Sequence, residues 1–232
     1  MKLKLKQAPF NIRNNFYNYQ TIDEEGFNLQ AGRYYVIFQF KGQSILTNFG
    51  KEKLLEEEYI EIISTQDQRV CLENGLCVVL DKKNINNKLE KNFKFFGKVK
   101  NDAYHVKKPW GYEYWITGEF PNNELVLKFI HIKKGTKTSL QVHNFKYESN
   151  FLVEGEAIFR YSEESFSTKK EYPIKELSVN SKIVIDVAPL GIHQLESKSD
   201  IYLIEASTNH LDDVIRLKDD SGRGDGKIDS EH

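Results

Sequence analysis

Residues 139–161 read SLQVHNFKYESNFLVEGEAIFRY. Short apolar-rich runs at 140–143, 150–153 and 157–161 are split by Asn144-Phe145-Lys146 and by Glu154-Gly155-Glu156. Runs of this length, rich in Val, Ile, Leu, Phe and Tyr and punctuated by turn residues, predict β-strands. The same texture extends in both directions. Upstream, 126–132 is a predicted strand; downstream, 183–187 precedes a Pro-Leu-Gly turn and 201–205 closes the series. In the first part of the chain, Arg33-Tyr34-Tyr35-Val36-Ile37-Phe38-Gln39-Phe40 lies between Gly32 and Gly42 and reads as a strand. Residues 59–63 and 76–80 are two more, and Asn74-Gly75 before the latter is a hairpin signal. Many short strands with regular turn signals indicate an all-β sandwich or barrel.

Residues 81–103 break the pattern. The stretch DKKNINNKLEKNFKFFGKVK is rich in Lys and Asn, with Ile85, Leu89 and Phe93 at a spacing of four. It reads as a solvated connector that holds a short amphipathic helix. The expected organisation is therefore a β unit over 1–80, a connector over 81–103 and a second β unit over 104–232, with a charged tail from Leu211. No internal repeat stands out, although both halves have a similar density of strands.

Composition narrows the function classes. With 232 residues, 39% hydrophobic and 29% charged, the chain can bury a substantial core. A formal net charge of −1 gives no global pull toward nucleic acid or an anionic membrane. The start, MKLKLKQAPF, has no apolar core of a signal peptide, and no apolar run reaches the length of a membrane helix. A cytoplasmic protein is expected, with Cys71 and Cys77 reduced.

Four side chains carry possible chemistry. Side chains alternate across a strand, so Gln141 and His143 share a face. Glu148 stands five residues beyond His143, on the opposite face of a continuous strand. A reversal at Asn144-Phe145-Lys146 would bring it back. His193 arrives from a distant strand, just after Pro189-Leu190-Gly191. Two imidazoles, a carboxylate and an amide suit Zn²⁺, Mn²⁺, Fe²⁺, Co²⁺ or Ni²⁺. On residue chemistry alone they equally suit ordinary polar side chains that have found hydrogen bonds. All 6 histidines lie beyond residue 100, so the N-terminal half can host no equivalent site.

These residues also carry a resemblance. Gly135, Gln141-x-His143-x4-Glu148 and Gly155 resemble the first cupin motif with its first His replaced by Gln, and Pro189 to His193 resembles the second. Lys108-Pro109-Trp110-Gly111-Tyr112-Glu113 and Ser139-Leu140-Gln141 are similar to signatures of the cupin domain of type II mannose-6-phosphate isomerases. Leu211-Asp212-Asp213-Val214-Ile215-Arg216 and Asp219-Asp220-Ser221-Gly222-Arg223 resemble that group's tail. The likeness covers roughly 104–232. It departs where Asn144-Phe145-Lys146 replaces a His-rich run, and where Gly191 stands two residues before His193 rather than three. A His-free segment precedes it in place of the nucleotidyltransferase domain of many such enzymes.

The resemblance implies a jelly-roll cupin barrel, two in tandem with the first degenerate. It implies one divalent metal ion held by Gln141, His143, Glu148 and His193. It also implies action on a sugar phosphate or sugar nucleotide, with aldose–ketose isomerisation in glycan or capsule precursor synthesis as the leading activity. An Fe(II) oxygenase and a non-catalytic sugar-binding cupin are the alternatives. Lys128 matches a family lysine and becomes a candidate acid/base or anion contact, against a plain surface lysine. Arg216 and Arg223 match the tail and become candidate phosphate clamps, against salt bridges to nearby acids. Lys108 and Trp110 become candidates for the substrate mouth, against a core role for Trp110. His131 is read as structural. A homodimer follows by analogy with cupins.

Overall fold

The computed structural model describes residues 4–22, 24–47, 52–82, 93–117, 125–167 and 171–227. They are almost entirely β, as two compact units. One comprises the chain up to Ala8, His105–Trp115 and everything from Lys128 onward; the other comprises Pro9–Tyr104 with Ile116–Leu127.

The C-terminal unit is built from two antiparallel sheets. The seven-stranded one runs in the order Lys4–Gln7, Ile183–Val187, Glu148–Glu154, Ile201–Thr208, Leu125–Ile132, Gly111–Thr117, Tyr104–Lys108. The six-stranded one runs Lys175–Asn180, Glu156–Ser165, Gly191–Ser197, Leu140–Val142, Ile215–Lys218, Gly226–Lys227. Several neighbours are far apart in sequence, such as Glu148–Glu154 beside Ile201–Thr208 and Leu140–Val142 beside Ile215–Lys218, which is how a jelly roll closes around one core. That core holds Ile130, Ile132, Leu152, Phe159, Ile185, Leu195 and Leu203, with Trp110 packed among them. The N-terminal Lys4–Gln7 belongs to this unit, in register with Ile183–Asp186. Its four residues are all exposed, and Lys4 and Lys6 blunt this sheet edge against unwanted pairing.

The other unit is an eight-stranded sheet whose core includes Leu29, Tyr35, Ile37, Ile60, Ile62, Val70 and Val79. Here two expectations are corrected. The strand 33–40 does not stop at Gly42 but continues as Tyr34–Thr47, paired along its length with Gln68–Lys82. Asn74-Gly75 is therefore not a hairpin turn. Gly42 and Gly75 face each other at φ +80° and +89°, beside register shifts in the ladder. A Cβ on Gly75 would lie 1.9 Å from the Lys41 carbonyl oxygen, and one on Gly42 2.2 Å from that of Asn74. Only paired glycines let both strands bend at one point.

Within 81–103, Lys94–Lys98 is a strand paired with Glu58–Ile63, followed by the short helix Val99–Asp102. The helix expected around Ile85 and Leu89 lies outside the described residues. Both cysteines are free thiols; Cys77 is buried and Cys71 half-buried. No helix among the described residues is long and apolar enough to cross a membrane.

Candidate metal centre

The strand Leu140–Val142 positions the first pair of polar groups. Gln141 lies directly across the ladder from His193, so both side chains project from the same face of the six-stranded sheet. His143 follows at the strand's end. The chain then crosses to the opposite sheet, where Glu148 opens the strand Glu148–Glu154. Asn144-Phe145-Lys146 is thus the crossover that brings the carboxylate to the imidazoles.

Asp213 holds that crossover. Its carboxylate accepts the backbone N–H groups of Asn144, Phe145 and Lys146, with the first and last at 3.0 Å. Its backbone carbonyl accepts the Nδ1–H of His143. Burial pushes the Asp213 carboxyl up, but the N–H donors of Phe145, Lys146 and Asn144 outweigh it and hold it below its usual range.

Candidate donor atoms of His143, Glu148 and His193 all lie within 4.8 Å of one another, and all three residues are buried. His193 engages the Gly191 carbonyl through Nδ1 at 3.0 Å, as His143 engages that of Asp213. Anchoring Nδ1 on a backbone carbonyl turns each Nε2 inward, the arrangement that metal-binding histidines use. The Nε2 of His143 is buried without a hydrogen-bond partner. Burial, then the Lys146 charge, pushes His143 down to about 4, leaving a neutral imidazole with a free lone pair. The Nε2 of His193 lies 2.9 Å from Glu148 Oε1. Burial opposes the charged form of His193, but Glu148 outweighs it and raises the imidazole. This donor set can hold one divalent ion. The amide of Gln141 sits 3.4 Å from His193 Nε2, with its oxygen accepting the Ser139 hydroxyl at 2.9 Å. Gln141 would present that oxygen only after the amide turns over.

The group opens into a small cavity of about 80 Å³. Its deep wall carries charge that sequence reasoning missed. Lys146 is 5% exposed, and its ammonium lies 2.8 Å from Glu148 Oε2 and 2.7 Å from Glu205 Oε1. Asn150 donates its side-chain N–H to Glu148 Oε1 at 2.9 Å. Farther along the wall, Lys128 Nζ lies 3.3 Å from Glu113 Oε2 and 4.3 Å from the centre of the Trp115 ring. Burial would raise Glu113, but Lys128 and then Lys108 outweigh it and lower it. Glu113 and Glu205 could have been found from their alternation with apolar core positions. Lys146 had only its place between two candidate ligands.

Of the remaining candidates, Lys128, Trp110 and Arg223 line the cavity. Trp110 is also a core residue, 7% exposed. Arg223 is engaged by Asp219, with Nη2 2.7 Å from Oδ2. Lys108 and Arg216 are not among the described lining residues. Arg216 pairs with Gln141 across the ladder. His131 lies on the other face of its strand from Lys128, 3.2 Å from Asp200 Oδ1.

Solved structures share this architecture. Protein Ylba from E. coli superposes with a TM-score of 0.64 at 8% identity, over 90% of this chain and 91% of its own. The formate complex of Lactobacillus farciminis oxalate decarboxylase gives 0.58 at 11% identity, over 92% and 88%. The putative glyoxylate induced protein of Pseudomonas aeruginosa gives 0.61 at 11% identity, over 89% and 79%.

The fold is that of the cupins.

At these identities the likeness concerns fold alone, and it gives no support to mannose-6-phosphate isomerases in particular. No family model matches the chain, and no curated protein matches it in sequence. The all-β jelly roll expected from the strand pattern is the observed fold, and the long coverage of these neighbours agrees with a tandem arrangement.

Proposed function

We propose that this cupin is a metal-dependent enzyme that moves a proton on a small sugar phosphate or activated sugar, as in aldose–ketose isomerisation. The observation that carries the reading is the convergence of His143, Glu148 and His193, with Gln141 beside them, at the floor of a buried cavity. A divalent ion bound there supplies Lewis-acid stabilisation of negative charge developing on a substrate oxygen.

The chain's own groups supply the rest. Lys128 and Glu113 form a buried pair on the cavity wall that would serve as acid and base toward a substrate proton. Trp110, Ile130, Ile132 and Phe159 form an apolar wall that limits water around the reacting carbons. Arg223 contributes a guanidinium to the lining, suited to a phosphate that it would share with Asp219. Association as a homodimer, by analogy with cupins, is tested by light scattering.

A second reading has its own support. Several of the similar structures are oxalate decarboxylases, among them one studied for its Mn(II) centres and one holding formate. A small carboxylate substrate is the corresponding alternative. The test is elemental analysis of protein purified without chelator, followed by turnover assays under argon with sugar phosphates, sugar nucleotides and small dicarboxylates. Oxygen-independent conversion of a sugar phosphate supports isomerisation. Loss of a dicarboxylate favours the second reading. Turnover that requires O₂ would mean an oxygenase. Stoichiometric metal without turnover would leave a binding module.

A further inference from the structure

Lys146 is an unusual residue for the floor of a metal centre. Its ammonium is buried in contact with a carboxylate that would itself bind the ion. A buried charge is tolerated only when it is paired, and Lys146 is paired twice. The two oxygens of Glu148 are divided by partner. Oε2 takes the Lys146 ammonium at 2.8 Å and lies 3.5 Å from His143 Nε2, whereas Oε1 faces His193 and Asn150 at 2.9 Å each. Glu205 takes the other side of the ammonium, and the Ser207 hydroxyl donates to Glu205 at 3.1 Å. The backbone N–H of Lys146 donates to Asp213, which fixes where its side chain enters the site, and the two carboxylates hold the ammonium there.

We propose that Lys146 is a resident cation of the metal centre. It reserves one oxygen of Glu148 and leaves the other for the metal, and it balances Glu148 and Glu205 when no metal is bound. The inference rests on the metal reading above and adds a positioning role to it. Two consequences follow from charge alone. The metal-free barrel stays folded, because its buried carboxylates already have a counter-charge. The site binds its ion less tightly than the same donors would without Lys146, because a fixed positive charge lies one carboxylate away.

The test compares wild type with Lys146→Met, which keeps the length of the side chain and removes its charge, and with Glu205→Gln. Zn²⁺ and Mn²⁺ affinity is measured by calorimetry, and thermal unfolding is followed with chelator and with metal. Lys146→Met is expected to bind metal at least about tenfold more tightly. It should melt earlier than wild type in chelator, so that metal adds more stability to it than to wild type. Glu205→Gln should shift affinity the other way, because Lys146 then rests on Glu148 alone and one negative charge is lost. Folding of Lys146→Met only in the presence of metal also supports the proposal. Unchanged or weaker metal binding by Lys146→Met overturns it, as does an equal loss of melting temperature with and without metal. Should Lys146→Met fail to fold at all, the sign of the Glu205→Gln shift decides. A wild-type protein that takes up neither ion overturns the metal reading itself, a result distinct from a wild type that binds and variants that do not differ.

Discussion

At the scale of single residues, the centre depends on which atom of each side chain is committed elsewhere. His143 and His193 spend Nδ1 on backbone carbonyls and keep Nε2 for the interior. His143→Ala removes a nitrogen donor whose lone pair has no other partner, so retained metal should fall below stoichiometry by elemental analysis after dialysis. Glu148→Gln keeps the shape but loses the charge that offsets the cation, so affinity should drop with near-normal folding. Gln141→Ala should do least, because a neutral amide is the weakest donor and must first turn over. Equal metal loss in all three variants would contradict this order. Asp213 makes a separate prediction. Asp213→Ala strips the acceptor from three backbone N–H groups and should cost roughly 3 kcal/mol in denaturant unfolding. It should also weaken metal binding although its carboxylate is no donor, and Asp213→Asn should recover part of both effects. The pairing of Gln141, His143, Glu148 and His193 was legible from strand alternation and motif spacing. The roles of Lys146 and Asp213 were not, because their partners Glu205 and His143 stand 59 and 70 positions away in the chain.

At the scale of elements, the period-two pattern read well wherever one face of a strand was apolar. Residues 183–187 came out as Ile183–Val187, and 201–205 as the first part of Ile201–Thr208. The pattern failed where glycine carried two meanings. Asn74-Gly75 has the composition of a tight turn, yet it bends a continuous strand because Gly42 stands opposite. No local signal distinguishes the two cases; the partner strand does. Gly75→Ala should therefore be costly, by a few kcal/mol from positive φ and from the Lys41 carbonyl it would strike. Gly32 also has positive φ, but a Cβ there would meet nothing within 4 Å, so Gly32→Ala should cost only the backbone strain, about 1 kcal/mol. Equal melting temperatures for the two variants would count against the bend.

At the scale of the whole molecule, the two units differ in what they bury. The unit without histidine donors holds Glu61, 1% exposed, which accepts the Tyr34 hydroxyl and, at 3.3 Å, that of Thr117. Its other oxygen has no hydrogen-bond partner. Burial pushes this carboxyl up to about 7, against the two hydroxyl donors. A raised folded-state pKa means that the native state holds the proton more tightly than the unfolded chain. The contribution is therefore complete below about 4.5 and lost as pH rises through about 7. Roughly 3 kcal/mol of stability should disappear across that window. Glu61→Gln should remove this part of the pH dependence and be more stable than wild type at pH 8. Parallel pH–stability curves for the two proteins would refute the assignment.

Read along the chain, the residues indicate that the protein is mainly β, that its second half carries all the histidines, and that Gln141, His143, Glu148 and His193 are candidate ligands of one ion. Alternation, turn composition and ligand chemistry are local properties, and each can be read within a few residues. Three other features come from the three-dimensional arrangement alone. Lys4–Gln7 completes a sheet of the C-terminal unit, Gly42 and Gly75 bend two strands together, and Lys146 lies between Glu148 and Glu205. Each of these depends on which strand lies beside which. In a jelly roll, neighbours are set by closure of the sheets rather than by sequence order, so no window along the chain contains them.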